Sequence, residues 1–432
     1  MAYAELCALT EDEHLLKEEA HRVARDVVRP AGVALDAMTA PERVTAGSPY
    51  FSVMGELHAL GYHRLLLPPE HGGPEPPLSP IGRAVVFEEL GWASLGLASA
   101  FGVDMLPFVL ISSFGSRELQ QELLVPWAED TTGALRGCWA VTEPDHGSDA
   151  LGLVRDPDAA RFGAGQVLAS RDDRGWVISG QKAGWVSSAP VATHCALHAQ
   201  DRSSSDMRHG IFAVVALDSD GVRRGPPLDM LGARDDPQGE LFFDAVRVPE
   251  HHVVVGDGPF YPVFLDQLLC LTSAGVGAMA VGVARAAFEE ALAYARTRVQ
   301  GGRPIAEHKN VALTLYGMFE KIETARAYVR QVMAHVTQAA DIASGFMALP
   351  RHARAAQVYA KRIAFEVAND ALQIHGAIGL SAGAPIQKLF RDARSLIIED
   401  GTLEVLALDA AADIVAHYEE DRYRPEEVMA RW

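Results

Sequence analysis

From Leu315 to Val336, apolar side chains recur at Leu315, Met318, Ile322, Ala325, Val329, Val332 and Val336, in alternating steps of three and four. That spacing places all seven on one stripe of a helix about six turns long. A stripe of that length must be covered by other long helices, so this part of the chain is read as a bundle. The seam is read as core and is assigned no chemistry. A different texture lies upstream. From "RGCWAVTEPDHGSDA" to about Gly256 the apolar runs are short: "GWVISG", "THCALHA", "GIFAVVAL" and "GELFFDAVRVP", separated by turn-forming stretches such as "DRSSSD" and "DSDG". These read as strands. Before them, Thr10-Glu11-Asp12-Glu13 forms a capping-box pattern, and Leu16, Ala20, Val23 and Val27 follow at helical spacing until Pro30 ends or bends the run. The expected organisation is α+β and multi-domain. It has an N-terminal helical domain over 1–135, a β-barrel-like middle domain over 136–256 and a C-terminal four-helix bundle over 257–432.

Composition narrows the function classes. The 432 residues suffice for two or three domains, and the formal net charge of -19 argues against broad nucleic-acid binding, which needs basic patches. Cys7, Cys138, Cys195 and Cys270 show no CxxC spacing, so they read as reduced thiols of a cytoplasmic protein. The N-terminus lacks the basic start and long apolar run of a secretory signal. The uncharged stretch from Leu268 to Ala284 is short for a membrane span and rich in Gly, Ala and Ser, so it reads as a buried helix closely approached by its neighbours.

Several chemistries lack their motifs. Gly275, Gly277 and Gly282 lie in an apolar helical segment, not after a strand, which excludes a Rossmann reading. No phosphate-binding P-loop occurs. Glu250-His251-His252 lacks the helical histidine spacing of a metalloprotease and reads as a solvated turn, and "WVSSAP" is no nucleophile elbow.

Three stretches together resemble the acyl-CoA dehydrogenase family. "AVTEPDHGSD" is similar to that family's TEPxxGSD signature. "GQKAGWVSSAPVATH" is similar to its Gly-x-Lys-x-Trp-Ile-Thr-Asn pattern. "LQIHGAIGLSAGAPIQKLFRDAR" leading into "LIIEDGT" is similar to its Gln-x-x-Gly-Gly, Arg-Asp-Ala and Glu-Gly-Thr segments. The resemblance spans nearly the whole chain. It implies FAD between the β domain and the C-terminal helices, a homo-oligomer (tetramer or dimer), and α,β-dehydrogenation of an acyl thioester on CoA or on a carrier protein's phosphopantetheine arm. It also implies an electron-transfer flavoprotein or oxygen as acceptor. In that reaction a carboxylate removes the α-proton while the β-hydrogen leaves as hydride to flavin N5. A backbone N–H of the catalytic loop and a ribityl hydroxyl hold the thioester oxygen.

The site residues follow from the matched positions. The family's usual base, the Glu before Gly-Thr, corresponds to Asp400, with Gly401 and Ser148 beside the substrate. Adjacent residues of an extended loop point to opposite sides, so Glu399 is expected to turn away into solvent or a salt bridge. Asp266, near a second place where some members carry the base, is read as an ordinary helix-end residue. The resemblance implies that Trp139, Val141, Thr142, Ser148, Trp185 and Ser187 line the flavin, that Arg298, Gln373 and Gly376 meet the pyrophosphate, and that Thr402 and Glu404 follow the loop onto FAD. One extra residue separates Lys182 from Trp185. The chain departs from the family at Gly301, where Phe is usual, at Lys309, where Gln is usual, and at Asp236 and Gln238, where Ser and Thr are usual. An Asp base is shorter than Glu by about 1.5 Å, and branches acting on cyclic acyl thioesters or nitroalkanes also carry Asp. The leading expectation is therefore an acyl-thioester dehydrogenase with Asp400 as base. Two other readings are a nitroalkane-oxidase-like flavin oxidase and a non-catalytic homologue with a binding or assembly role.

Overall fold

The structure is a computed structural model that describes residues 6, 8–152, 164–339 and 347–419; Cys7 lies outside them. Its longer N-terminal helices are α1 (Glu11–Val23), α2 (Arg29–Ala37), α3 (Pro49–Ala59), α4 (Pro80–Ala93) and α5 (Leu95–Phe114). The Thr10 capping box closes as its sequence predicts, with Glu13 N donating to Thr10 Oγ1 and Thr10 N to Glu13 Oε2. Pro30 does not stop the helix. Five π-helical residues, Ala24–Val28, absorb the missing N–H, and the chain continues helically to Ala37.

Strands begin at β1 (Gly137–Ala140). They continue as β2 (Leu168–Asp172), β3 (Gly175–Ser187), β4 (His194–Asp201), β5 (Gly210–Ala216), β6 (Val222–Arg224), β7 (Gln238–Val248) and β8 (Val253–Val255). The sheet order is β6-β7-β3-β2-β4-β5-β8, with β1 parallel to β4. β3 slips register against β7 between Lys182 and Val186, and this irregularity falls where the extra residue before Trp185 was noted.

Helices then return as α6 (Phe260–Thr297), α7 (Lys309–Ala339), α8 (Pro350–His375), α9 (Pro385–Leu396) and α10 (Leu403–His417). All seven seam residues of α7 are buried. α5 and α6 are long and apolar enough to cross a membrane, and both are largely buried inside this fold. α4 and α6 meet backbone to backbone: a Cβ on Gly282 would lie 2.1 Å from the Glu88 carbonyl oxygen, and one on Gly91 would lie 2.4 Å from that of Met279. Only glycine permits that approach, which explains the small-residue stretch in α6. One core runs through the N- and C-terminal helices and a second fills the sheet. Gly301 and Gly302, at φ +63° and +83°, form the two-residue turn between Val299–Gln300 and Arg303–Pro304. A Phe at 301 would be strained there, which accounts locally for that departure.

Candidate active site between sheet and helices

A cavity of about 700 Å³ opens where the sheet, the N-terminal helices and the C-terminal helices meet. Its sheet wall carries Trp139, Val141, Thr142, Ser148, Trp185 and Ser187. Its C-terminal wall carries Gln357, Arg394, Glu399, Asp400 and Gly401. Its N-terminal wall carries Leu66, Arg83, Phe87, Ser99, Gly102 and Val103. The lining is mostly apolar. Trp185 is 60% exposed although it borders this enclosed space, so its ring face is bare for a flat apolar group.

The sequence motifs meet in space. Lys182 Nζ, 1% exposed, lies 2.8 Å from Glu143 Oε1 and 3.0 Å from the Val141 carbonyl, so two of the motifs close on one buried ion pair. Ala183 N donates to the Thr142 carbonyl. The Thr402 amide donates to Ser148 Oγ at 3.1 Å across a gap of 254 residues, and Thr402 Oγ1 then caps α10. The Trp139 indole N–H donates to His198 Nε2 at 2.9 Å. Burial, then Lys182, keeps that imidazole well below its usual pKa and therefore neutral, able to accept.

The loop after α9 is a turn, not an extended strand, and this overturns one expectation. Side-chain alternation does not apply there, so Glu399 is not turned to solvent. It is half-buried in the cavity wall, and among the described residues its Oε1 has no hydrogen-bond partner and no ion pair holds it. Burial, then the Asp236 and Asp400 carboxylates, pushes its pKa well above the carboxylate range. Asp400 faces the same cavity. It is accessible through that cavity while protein surrounds it, and the enclosure raises its pKa against the opposing pull of Lys361.

Backbone strain marks the loop. Asp400 has φ +51°, a left-handed conformation that Asp tolerates better than most side chains. Ser188, next to Ser187, is also left-handed at φ +62°. The loop is fixed from below by Lys361, fully buried, whose Nζ donates to the carbonyls of Glu399 (2.6 Å) and Gly401 (2.7 Å). Gln357 Nε2 donates to the Asp400 carbonyl at 3.3 Å. Sequence reasoning missed both. Lys361 shares the buried face of α8 with Ala364 and Ala368, three and seven residues on, so a cation on an apolar stripe was the available signal.

Other predicted residues lie elsewhere. Asp266 is buried 3.4 Å from Arg354, which also binds Asp409, so it is committed to an ion-pair network. Arg298, Gln373, Gly376 and Glu404 are exposed and do not line the cavity. Tyr294 stacks on His375 at 4.5 Å, so the Arg298 end of α6 lies beside the Gln373–Gly376 end of α8. Asp236 is 2% exposed and contacts Gln238, so it faces no phosphate at the surface. His252 is buried rather than solvated; its Nδ1–H donates to the Val214 carbonyl, and its Nε2 and that of His251 both meet Glu122.

Comparison with known proteins agrees with this architecture. Residues 10–131, 138–246 and 265–415 match the N-terminal, middle and C-terminal domain models of acyl-CoA dehydrogenases. A probable acyl-CoA dehydrogenase of Bacillus subtilis is 29% identical over 94% of this chain and 99% of its own length. Benzylmalonyl-CoA dehydrogenase of Aromatoleum aromaticum is also 29% identical, over 94% of this chain and 98% of its own length. The solved butyryl-CoA dehydrogenase of Megasphaera elsdenii superposes with a TM-score of 0.80 at 24% identity, covering 95% of this chain and 100% of that one, a likeness of fold. The chain belongs to the acyl-CoA dehydrogenase family of FAD-dependent flavoprotein oxidoreductases.

Proposed function

We propose that this enzyme introduces a double bond α,β to the carbonyl of a CoA thioester, with Asp400 as the base that removes the α-proton. The observation that carries this reading is that Asp400 and the apolar face formed by Trp139, Val141, Thr142, Trp185 and Ser187 border one cavity. The exposed Trp185 and the apolar lining of this cavity suit a bound isoalloxazine. When bound, FAD supplies a hydride acceptor for the β-hydrogen.

The chain's own groups do the rest. Asp400, held by its strained backbone and by the Gln357 bond to its carbonyl, presents its carboxylate to the substrate's α-carbon. Among the described residues, the amides of Asp400 and Gly401 have no partner within the chain, so they are available to the thioester oxygen as negative charge grows on it. An acyl chain filling this apolar cavity would displace water from the carboxylate, whose pKa, raised by the surrounding protein, makes it a stronger base than an Asp in bulk solvent. Burial, with the Asp236 and Asp400 carboxylates beside it, disfavours the ionised form of Glu399 more strongly, so Asp400 is the better placed of the two to accept the proton.

Assembly follows from the surface. Leu313 and Tyr316 on α7, Ile378 and Leu380 after α8, and Leu408 and Val415 on α10 are apolar and exposed, at 55% to 89%. A second copy covering such faces would also enclose the exposed Arg298, Gln373 and Gly376. Sedimentation should then show a homo-oligomer; a monomer at micromolar concentration would contradict this part of the reading. The reaction itself is tested by anaerobic bleaching of the purified flavoprotein with a panel of acyl-CoA thioesters. Bleaching by at least one of them is expected. Failure with all of them, alongside rapid peroxide formation from nitroalkanes, would overturn the dehydrogenase assignment.

A further inference from the structure

Arg83 lies in the first turn of α4, which Ser79 caps by accepting from Gly82 N and which Pro80 opens. Arg83 lines the cavity between the helices, as does Phe87, one turn further along. Three features make it costly. Its Nε is buried without a hydrogen-bond partner. Among the described residues no carboxylate lies within ion-pair distance, and burial alone lowers its pKa with no counter-charge to restore it. A cation in a first turn also opposes the helix dipole. Among the described residues no ion pair offsets these costs, whereas the buried arginines of α6 and α7 are all paired.

The neighbouring wall is open. A Cβ on Gly102 would meet nothing closer than Met279 Cε, at 4.0 Å, so α5 leaves room along the wall that carries Arg83. Leu66, Phe87 and Val103 on this wall are apolar, and Ser99 offers one neutral hydroxyl, so among the described residues Arg83 is the wall's one positive charge for an anion. The cavity thus has a wall whose residues would hold the flavin, the proposed base Asp400, and a cation outside any ion pair on a third wall.

We propose that Arg83 is a specificity residue that binds a carboxylate carried on the acyl chain, so that the preferred substrates are CoA thioesters of dicarboxylic acids. The inference rests on the proposed dehydrogenation only in placing an acyl thioester in this cavity. A guanidinium forks onto a carboxylate through two N–H groups, and a chain ending in a methyl group leaves it buried and unpaired. Sites built for a polar group discriminate strongly against analogues that lack it.

The test separates binding from turnover. The FAD-loaded Asp400→Asn enzyme is titrated with a straight-chain acyl-CoA and with its ω-carboxy analogue of equal carbon number, following the flavin spectrum and the heat of binding. The carboxylated thioester is expected to bind at least tenfold more tightly. Adding Arg83→Met should cut that ratio at least tenfold, and Arg83→Lys should restore part of it. No preference in the parent overturns the inference, as does absence of binding by either thioester. Equal loss on both thioesters in Arg83→Met places Arg83 on the shared CoA and overturns it too. A selectivity that depends on Arg83, in a protein whose parent no thioester bleaches, supports the site while refuting the proposed reaction.

Discussion

Two regions bury charge, and they treat it in opposite ways. At the junction of α4 with α6 and α7, Glu88 receives Arg285 at 2.8 Å and Arg326 at 3.0 Å, with Arg330 at 3.6 Å, while Glu89 receives Arg285 and His21. Burial there favours protonation, but Arg326 and Arg285 outweigh it and hold Glu88 down to about 2. Around the cavity the pattern reverses. Among the described residues Glu399, Arg83 and Arg394 form no ion pair although they line the cavity, and Asp400 and Glu399 are raised rather than lowered. In the first region every charge is answered within the chain, so it locks helices together. In the second, charges are left for something that arrives later.

The sharpest way to break this contrast is at Asp400. Asp400→Asn should retain FAD and lose anaerobic reduction by substrate about a thousandfold or more, read by stopped-flow bleaching; Glu399→Gln in parallel should stay within a fewfold. If the two variants exchange these outcomes, the base has been assigned to the wrong carboxyl. Next in size, Glu88→Gln strips the helix junction of its acceptor and leaves buried guanidiniums unpaired. A loss of about 3–5 kcal/mol is expected from chemical unfolding of the holoenzyme, and a change under about 1 kcal/mol would mean the network is not a structural lock. Lys361→Met removes the cation under the loop without emptying its space. It should lower kcat about a hundredfold through misplacement of Asp400, with FAD still bound; an unaltered kcat would show that the loop holds itself.

The smallest effect concerns Asp236, whose pKa is raised to about 7 by burial. The folded state keeps this proton up to about pH 7, whereas the unfolded chain releases it near the ordinary Asp value of 3.8. The unfolded state therefore binds fewer protons across that window, and stability falls as pH rises through it. Asp236→Asn should melt like the parent near pH 4 and higher than the parent at pH 8. A constant difference across that range would rule out titration of Asp236 as the cause.

Much of this was legible before the fold. The α7 seam, the change to strands near Gly137 and the return to helix near Phe260 follow from periodicity, which reports local conformation directly. Six of the predicted flavin-lining residues, with Asp400 and Gly401, do share one cavity. The orientation of Glu399 failed because alternation assumes extended backbone, and the loop turns instead. Pro30 failed to end a helix because a π-turn can bypass its missing N–H. The exposed pyrophosphate set was placed by motif matching, which carries no information about which surface of the chain each motif faces.

Sequence alone determined the helical, sheet and helical segments and the set of residues able to do the chemistry, because both depend on neighbours within a few positions or on residue type. Tertiary structure decided which charges are answered and which are left open. It brought Lys182 to Glu143, Lys361 under the 399–401 loop and Thr402 to Ser148, and it set Arg83 on the cavity wall outside any ion pair among the described residues. A charge's pairing and its desolvation depend on chain segments tens to hundreds of residues away, and no local pattern encodes that distance.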